Sequence, residues 1–278
     1  MNGWIDEAPG LLTVAAARWS LALDGYHDAG HASVIATAAA ADGSRVLVKA
    51  WPDRDRYSRE IRALRLWHRE PDGIVLAADD DLSVAALALV GGAPGGAARP
   101  AHETSLVSAA LHRAHGRGRS EPGLSMFPQL HDHITDEVLP RVRRRLGATA
   151  LGPRTESALW HAAGVREHPA RETLLHGDLY RENVPFTEDG RPVLLDPLPM
   201  SGDVAYDWAF WTVYYEVGRG TGGRLHRASL VSGVSVKDLL PWCLLLGLDG
   251  LLYYEETGDA RMTLMTRVLD ALLARCTE

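Results

Sequence analysis

Asparagine occurs at two positions in the 278 residues, Asn2 and Asn183, and the second lies five residues after Asp178 in the stretch LLHGDLYRENVPF, residues 174 to 186. Leu174 and Leu175 lead into His176-Gly177-Asp178, and Val184, Pro185 and Phe186 lead out, so the polar trio falls on a loop between apolar segments. Loops are where side chains reach ligands. A further carboxylate, Asp196, ends the apolar run VLL thirteen residues beyond Asn183. A loop-stabilising hydrogen bond of His176 and Asp178, with Asn183 capping a turn, would use the same residues without chemistry. A hydrolytic metal site built from His176, Asp178 and Asp196 would leave Lys49 and Asn183 without a task.

The order H-x-D-x-x-x-x-N resembles the catalytic loop of protein kinases, in which the aspartate receives the substrate hydroxyl and the asparagine holds magnesium. Asp196 would supply a second magnesium ligand. Upstream, alternation in RVLVK puts Leu47 and Lys49 on one strand face and Val46 and Val48 on the other. Glu60 lies three residues after Tyr57 and four before Leu64, within the apolar stripe of a helix. An inward carboxylate is costly unless paired, and Lys49 is its natural partner. Such a pair would aim the ammonium at nucleotide phosphates.

These residues need particular elements to hold them. HASVIATAAA and RVLVKAW read as strands joined by Asp42-Gly43, a tight hairpin turn, and DGYHDAGHAS before them reads as an irregular loop, with Ser33 a candidate phosphate contact. DRYSREIRALRLWHRE reads as a helix stopped at Pro71-Asp72-Gly73, and GIVLAA and LSVAALALV as two more strands. The aperiodic GGAPGGAARP, residues 91 to 100, separates a first lobe, 1 to 92, from a second, 93 to 278. Leu89 and Val90, just before it, are candidate backbone contacts to adenine. The second lobe reads as mainly helical, with GRPVLLDPLP expected to contain a strand and RVRRR, residues 141 to 145, expected to be a solvated helix face.

With LLHGDLYREN, LLDP and GDVAYDWA in that order, the chain resembles the aminoglycoside phosphotransferase family, most of all its streptomycin and hydroxyurea kinase branch. The resemblance implies an α+β, protein-kinase-like two-lobed fold, with a small β-rich N-terminal lobe that binds nucleotide and a larger, mainly helical C-terminal lobe. It implies that Asp178 is the catalytic carboxylate, that Asn183 and Asp196 hold Mg2+, and that Lys49, fixed by Glu60, contacts the phosphates of ATP or GTP. It makes His176 a candidate catalytic residue that fits better as a loop organiser, Leu47 a candidate contact in the nucleotide site, and Asp207 the expected buried acid that steadies the loop.

Composition bounds the partner. The formal net charge of −7 gives no basic field for nucleic acid or an anionic membrane. Cys243 and Cys276 form neither a disulfide framework nor a zinc pattern, and no signal peptide or membrane span is expected, so the reading is a soluble cytoplasmic protein, monomeric or a weak homodimer. YDWAFWTVYYE and GLLYYEETGD set aromatics beside acids, so Trp211, Tyr215, Glu216 and Glu255 are candidate contacts to a cationic small-molecule substrate. The spacing of Trp208, Trp211 and Tyr215 fits a buried helix equally well.

Overall fold

A computed structural model describes residues 2–30, 33–69, 73–148 and 152–276, in two compact units. The first comprises residues 1–101 and 185–196 and the second residues 102–184 and 197–278.

The first unit is a five-stranded antiparallel sheet, order β1-β2-β3-β5-β4, made of β1 (Ala22–Gly30), β2 (Ser33–Ala39), β3 (Arg45–Ala50), β4 (Val75–Asp79) and β5 (Val84–Ala88). Helices α1 (Asn2–Arg18) and α2 (Arg54–Trp67) accompany it. Alternation on β3 works as the sequence requires: Val46, Val48 and Ala50 are buried in a core with Leu12 and Ala15 of α1. Leu47 packs instead against a second cluster that contains Trp51, Tyr57, Leu64 and Leu87. Asp53 starts α2 by accepting the N–H groups of Asp55 and Arg56, at 2.8 and 3.1 Å, which satisfies two of the donors that a helix start exposes.

Three expectations change here. DGYHDAGHAS is mostly strand, since β1 pairs with β2 from Ala22 opposite Ala39 to Gly30 opposite Ser33; register shifts at Leu23/Gly25 and His27/Ala29 break the alternation that would have revealed it. His31 and Ala32 of that stretch lie outside the described residues. The expected strand in GRPVLLDPLP is reduced to one bridge between Phe186 and Pro192, because proline lacks the N–H that a ladder needs. The unit boundary falls after Ala101 rather than after Gly92. Ala97 N–H donates to Phe186 O at 2.8 Å, which ties the glycine-rich connector to the returning segment 185–196.

The second unit holds a two-stranded antiparallel ribbon, β6 (Glu172–Leu175) with β7 (Met200–Asp203), among helices. Helix α3 (Glu103–Arg119) is followed by a continuous helical stretch: α4 (Leu130–Asp132), a π-helical turn over His133–Val138 and α5 (Leu139–Ala148). Then come α6 (Pro153–Ala162), α7 (Ala205–Tyr214), α8 (Thr221–Ser232), α9 (Val236–Thr257) and α10 (Met262–Leu273). All ten residues of α7 are buried, so its aromatic residues supply much of this core. No helix among the described residues is long and apolar enough to cross a membrane.

Candidate active site

In the second unit, β6 delivers the chain directly into His176-Gly177-Asp178, and β7 leads through Asp203 to α7. Asp207, in the first turn of α7 and fully buried, organises the loop. Its carboxylate accepts the N–H of His176 at 2.7 Å and of Gly177 at 2.9 Å, and lies 2.9 Å from Nε2 of His115 on α3. Burial by itself raises the Asp207 carboxyl, yet the His115 hydrogen bond, the nearby His115 and His176 rings and the Gly177 N–H outweigh it and hold the group below its ordinary value. Gly177 has φ +76°, and a Cβ there would sit 2.2 Å from Leu198 O, so only glycine fits.

His176 is buried, and its Nδ1 accepts the N–H of Asp178 at 3.3 Å. The ring thus holds the backbone of Asp178, the arrangement expected of a loop organiser. Asn183 turns back on the same loop, its Nδ2 donating to Asp178 O at 2.8 Å and to Asp178 Oδ2 at 3.1 Å. With its amide nitrogen so engaged, Oδ1 is the atom of Asn183 suited to a cation. Arg181 anchors the loop laterally, its Nη2 lying 2.7 Å from Glu103 Oε1.

In the first unit, Lys49 Nζ lies 2.6 Å from Glu60 Oε1 and 2.6 Å from Asp196 Oδ1, while Trp51 Nε1 donates to Glu60 Oε2 at 2.7 Å. Glu60 is wholly buried. Burial opposes the Lys49 charge, but Glu60 and Asp196 more than compensate and hold the ammonium above its ordinary pKa. Asp196 sits at φ +53° with a half-exposed side chain. A non-glycine residue in that region is uncommon and turns this carboxylate toward Lys49 at some conformational cost. Asn183 and Asp196 are oxygen donors of the kind Mg2+ takes, usually one or two from protein with the rest from water and phosphate. The donor types therefore fit the implied metal.

Leu47 is partly buried on the Lys49 face of β3. Ser33 opens β2, opposite Gly30. Leu89 N–H donates to Arg45 O at 3.2 Å and its carbonyl accepts from Gly92 N–H at 3.1 Å, so an adenine contact there would displace two internal hydrogen bonds; Val90 is buried beside it.

Asp178 lies on the wall of a cavity of about 520 Å³ within the second unit, a volume suited to a small molecule. The wall differs from the expected one. Trp211 and Tyr215 are buried in the core, Glu255 is solvent-exposed, and Glu216 lies 3.9 Å from Arg224; none of the four lines this cavity. The helix faces explain why: Tyr206, Phe210 and Tyr214 recur every four residues and form the cavity face of α7, which sends Trp211 and Tyr215 elsewhere. Tyr180, Tyr253 and Tyr254 extend the aromatic wall.

RVRRR is not simply a solvated face. Arg141 and Arg145, one turn apart on α5, both bind Asp249 of α9, at 2.6 Å through Arg141 Nη2 and 3.0 Å through Arg145 Nη1, and all three line the cavity. The signal was present in the sequence: Asp249 interrupts an apolar run, and a buried acid demands cationic partners. Next to it, a Cβ on Gly250 would lie 2.5 Å from the Tyr214 hydroxyl, so this glycine admits the tyrosine. A larger cavity of about 800 Å³ around Trp160, Arg171 and Lys237 contains none of the candidate catalytic residues.

Residues 18–217 match the family described as aminoglycoside/hydroxyurea antibiotic resistance kinase. Streptomycin 6-kinase of Streptomyces griseus is 27% identical over 215 residues, covering 74% of this chain and 67% of that protein. The "Probable ketoamine kinase" of Staphylococcus aureus is 35% identical over 83 residues, and the match spans only 28% of its length. Among solved structures, the macrolide 2'-phosphotransferase of Brachybacterium faecium aligns with a TM-score of 0.60 at 21% identity, over 95% of this chain and 98% of its own, a likeness of fold. With its family matched across the sheet, the His176–Asn183 loop and α7, the chain belongs to the aminoglycoside/hydroxyurea antibiotic resistance kinases.

Proposed function

We propose that the protein transfers the γ-phosphoryl group of ATP or GTP to a hydroxyl of a small-molecule antibiotic and so confers resistance. The observation that carries this reading is Asp178 on the wall of the 520 Å³ cavity, on a loop whose backbone N–H groups are fixed by Asp207. Family membership supports it. Asp178 orients the acceptor hydroxyl and takes its proton as the oxygen attacks phosphorus, and Asn183 keeps that carboxylate in place. Lys49 contacts the donor phosphates, held by Glu60. Asn183 would offer its Oδ1, and Asp196 its carboxylate, as oxygen donors to Mg2+, which would neutralise phosphate charge. Little covalent help is needed in a loose phosphoryl-transfer transition state, so positioning and charge account for most of the rate.

On this reading the acceptor is a cationic antibiotic, an aminoglycoside such as streptomycin or a basic peptide of the viomycin and capreomycin type. The alternative within the same chemistry is a metabolic kinase for a sugar, amino sugar, choline or homoserine. Labelled γ-phosphate offered with a panel of antibiotics and metabolites, followed by mass measurement of the product, separates them. Expression in a sensitive bacterium should raise resistance, and Asp178→Ala should abolish it. Label passing only to a common metabolite would overturn the antibiotic reading.

A further inference from the structure

Arg141, Arg145 and Arg261 line the Asp178 cavity, and each is bound to an acid. Arg141 holds Asp249 through Nε and Nη2, at 2.9 and 2.6 Å. Arg145 reaches the same carboxylate through Nη1 at 3.0 Å and Glu256 through Nε at 2.7 Å. Arg261 binds Asp259, its Nη2 at 2.6 Å and its Nε at 3.0 Å from Oδ2. Asp249, shared by two guanidinium groups and only 6% exposed, has no charge to spare for a ligand.

Glu137, on the same wall, is placed differently. His133, Glu137, Arg141 and Arg145 follow one another at intervals of four along the helical stretch, so Arg141 is the natural partner of Glu137. Asp249 takes that arginine instead, and Glu137 makes no ion pair with an arginine among the described residues. It meets His133, whose Nδ1 lies 3.2 Å from Glu137 Oε2. Burial above all, together with the charge of Arg141, holds this imidazole below its ordinary pKa against the pull of Glu137 and Asp249. A neutral ring orients a carboxylate without cancelling its charge. The Glu137 side chain is 64% exposed, and a π-helical turn, a form frequent at functional sites, carries both residues.

We infer that Glu137 is a specificity-determining residue, which receives an ammonium or guanidinium group of the acceptor while Asp178 holds the hydroxyl to be phosphorylated. The two carboxylates then read two features of one molecule, a hydroxyl and a separate cation, and a neutral sugar offers only the first. Glu216 and Glu255, which the sequence nominated for this task, lie off the cavity, and Glu137 takes their place. The inference rests on the kinase reading of Asp178 and assigns the side chain that selects for charge.

The test is steady-state transfer of labelled γ-phosphate by the full chain, with magnesium and nucleotide, to streptomycin and viomycin as cationic acceptors and to glucose as a neutral one. The expected result is product from a cationic acceptor, with its KM about tenfold higher in Glu137→Gln, kcat within about twofold, and partial recovery in Glu137→Asp. Added salt should raise that KM more steeply in the native protein than in Glu137→Gln, a difference that a merely structural role would not produce. A thermal melt on each variant checks folding. An unchanged KM in a folded Glu137→Gln protein, or product from glucose alone, overturns the inference and leaves the kinase reading intact. No product from any acceptor, with nucleotide consumption indifferent to Asp178→Asn, removes the kinase reading and the inference together.

Discussion

Asp207 receives the Gly177 N–H at 2.9 Å, so the helix that follows the ribbon fixes the backbone immediately before Asp178. The same carboxylate takes the His176 N–H, which makes this buried acid the hinge pin of the candidate catalytic loop. Replacing it with asparagine removes the ionised acceptor of both backbone donors. Asp207→Asn should lose about 2–4 kcal/mol of stability, read by urea denaturation, and should lower kcat more than it raises KM.

Acid sensitivity follows from the same residue. Its folded pKa lies below the ordinary 3.8, so its contribution to stability is fully present above about pH 3.8 and disappears as pH falls through the lowered folded value. Denaturation midpoints measured from pH 7 down to pH 3 should therefore fall at the acid end in the native protein. The Asp207→Asn protein should start lower and show a flatter acid limb.

Gly177 offers a backbone test. Alanine at φ +76°, with Leu198 O in the way, should cost about 2 kcal/mol or more and reduce turnover while the protein remains folded. Glycine-to-alanine change at Gly43, in an open turn also at positive φ, is the control: strain there lacks the steric clash and lies far from Asp178 in sequence, so turnover should persist.

Lys49 and Glu60 form a buried couple, and breaking it on one side strands a charge. Lys49→Met should destabilise the protein by about 3–5 kcal/mol, and Lys49→Met with Glu60→Gln should regain part of that stability. Turnover should stay lost in both, because the double variant repairs packing and not the phosphate contact. A double variant as active as the native protein would remove Lys49 from the proposed reaction.

Much of this was legible in the sequence because it depended on local rules. Alternation on β3 placed Lys49, helical spacing turned Glu60 inward, and apolar flanks put Asp178 and Asn183 on a loop. What escaped were relations set by tertiary packing. β1 hid behind its register shifts. The cavity wall depends on which side of an entirely buried helix faces it, and α7 carries aromatic residues all round, so periodicity could not choose Tyr206, Phe210 and Tyr214 over Trp211 and Tyr215. Arg141 and Asp249 are 108 positions apart, and only the fold pairs them.

The central claim is that Asp178 orients and deprotonates an acceptor hydroxyl. Asp178→Asn keeps the shape of the loop while removing the base, and its rate of γ-phosphoryl transfer to the preferred acceptor tests the claim most directly. The account expects a fall in kcat of about 10²–10⁴-fold, with acceptor KM within a few-fold and an unchanged melting temperature. Transfer at an undiminished rate by a folded Asp178→Asn protein would contradict it.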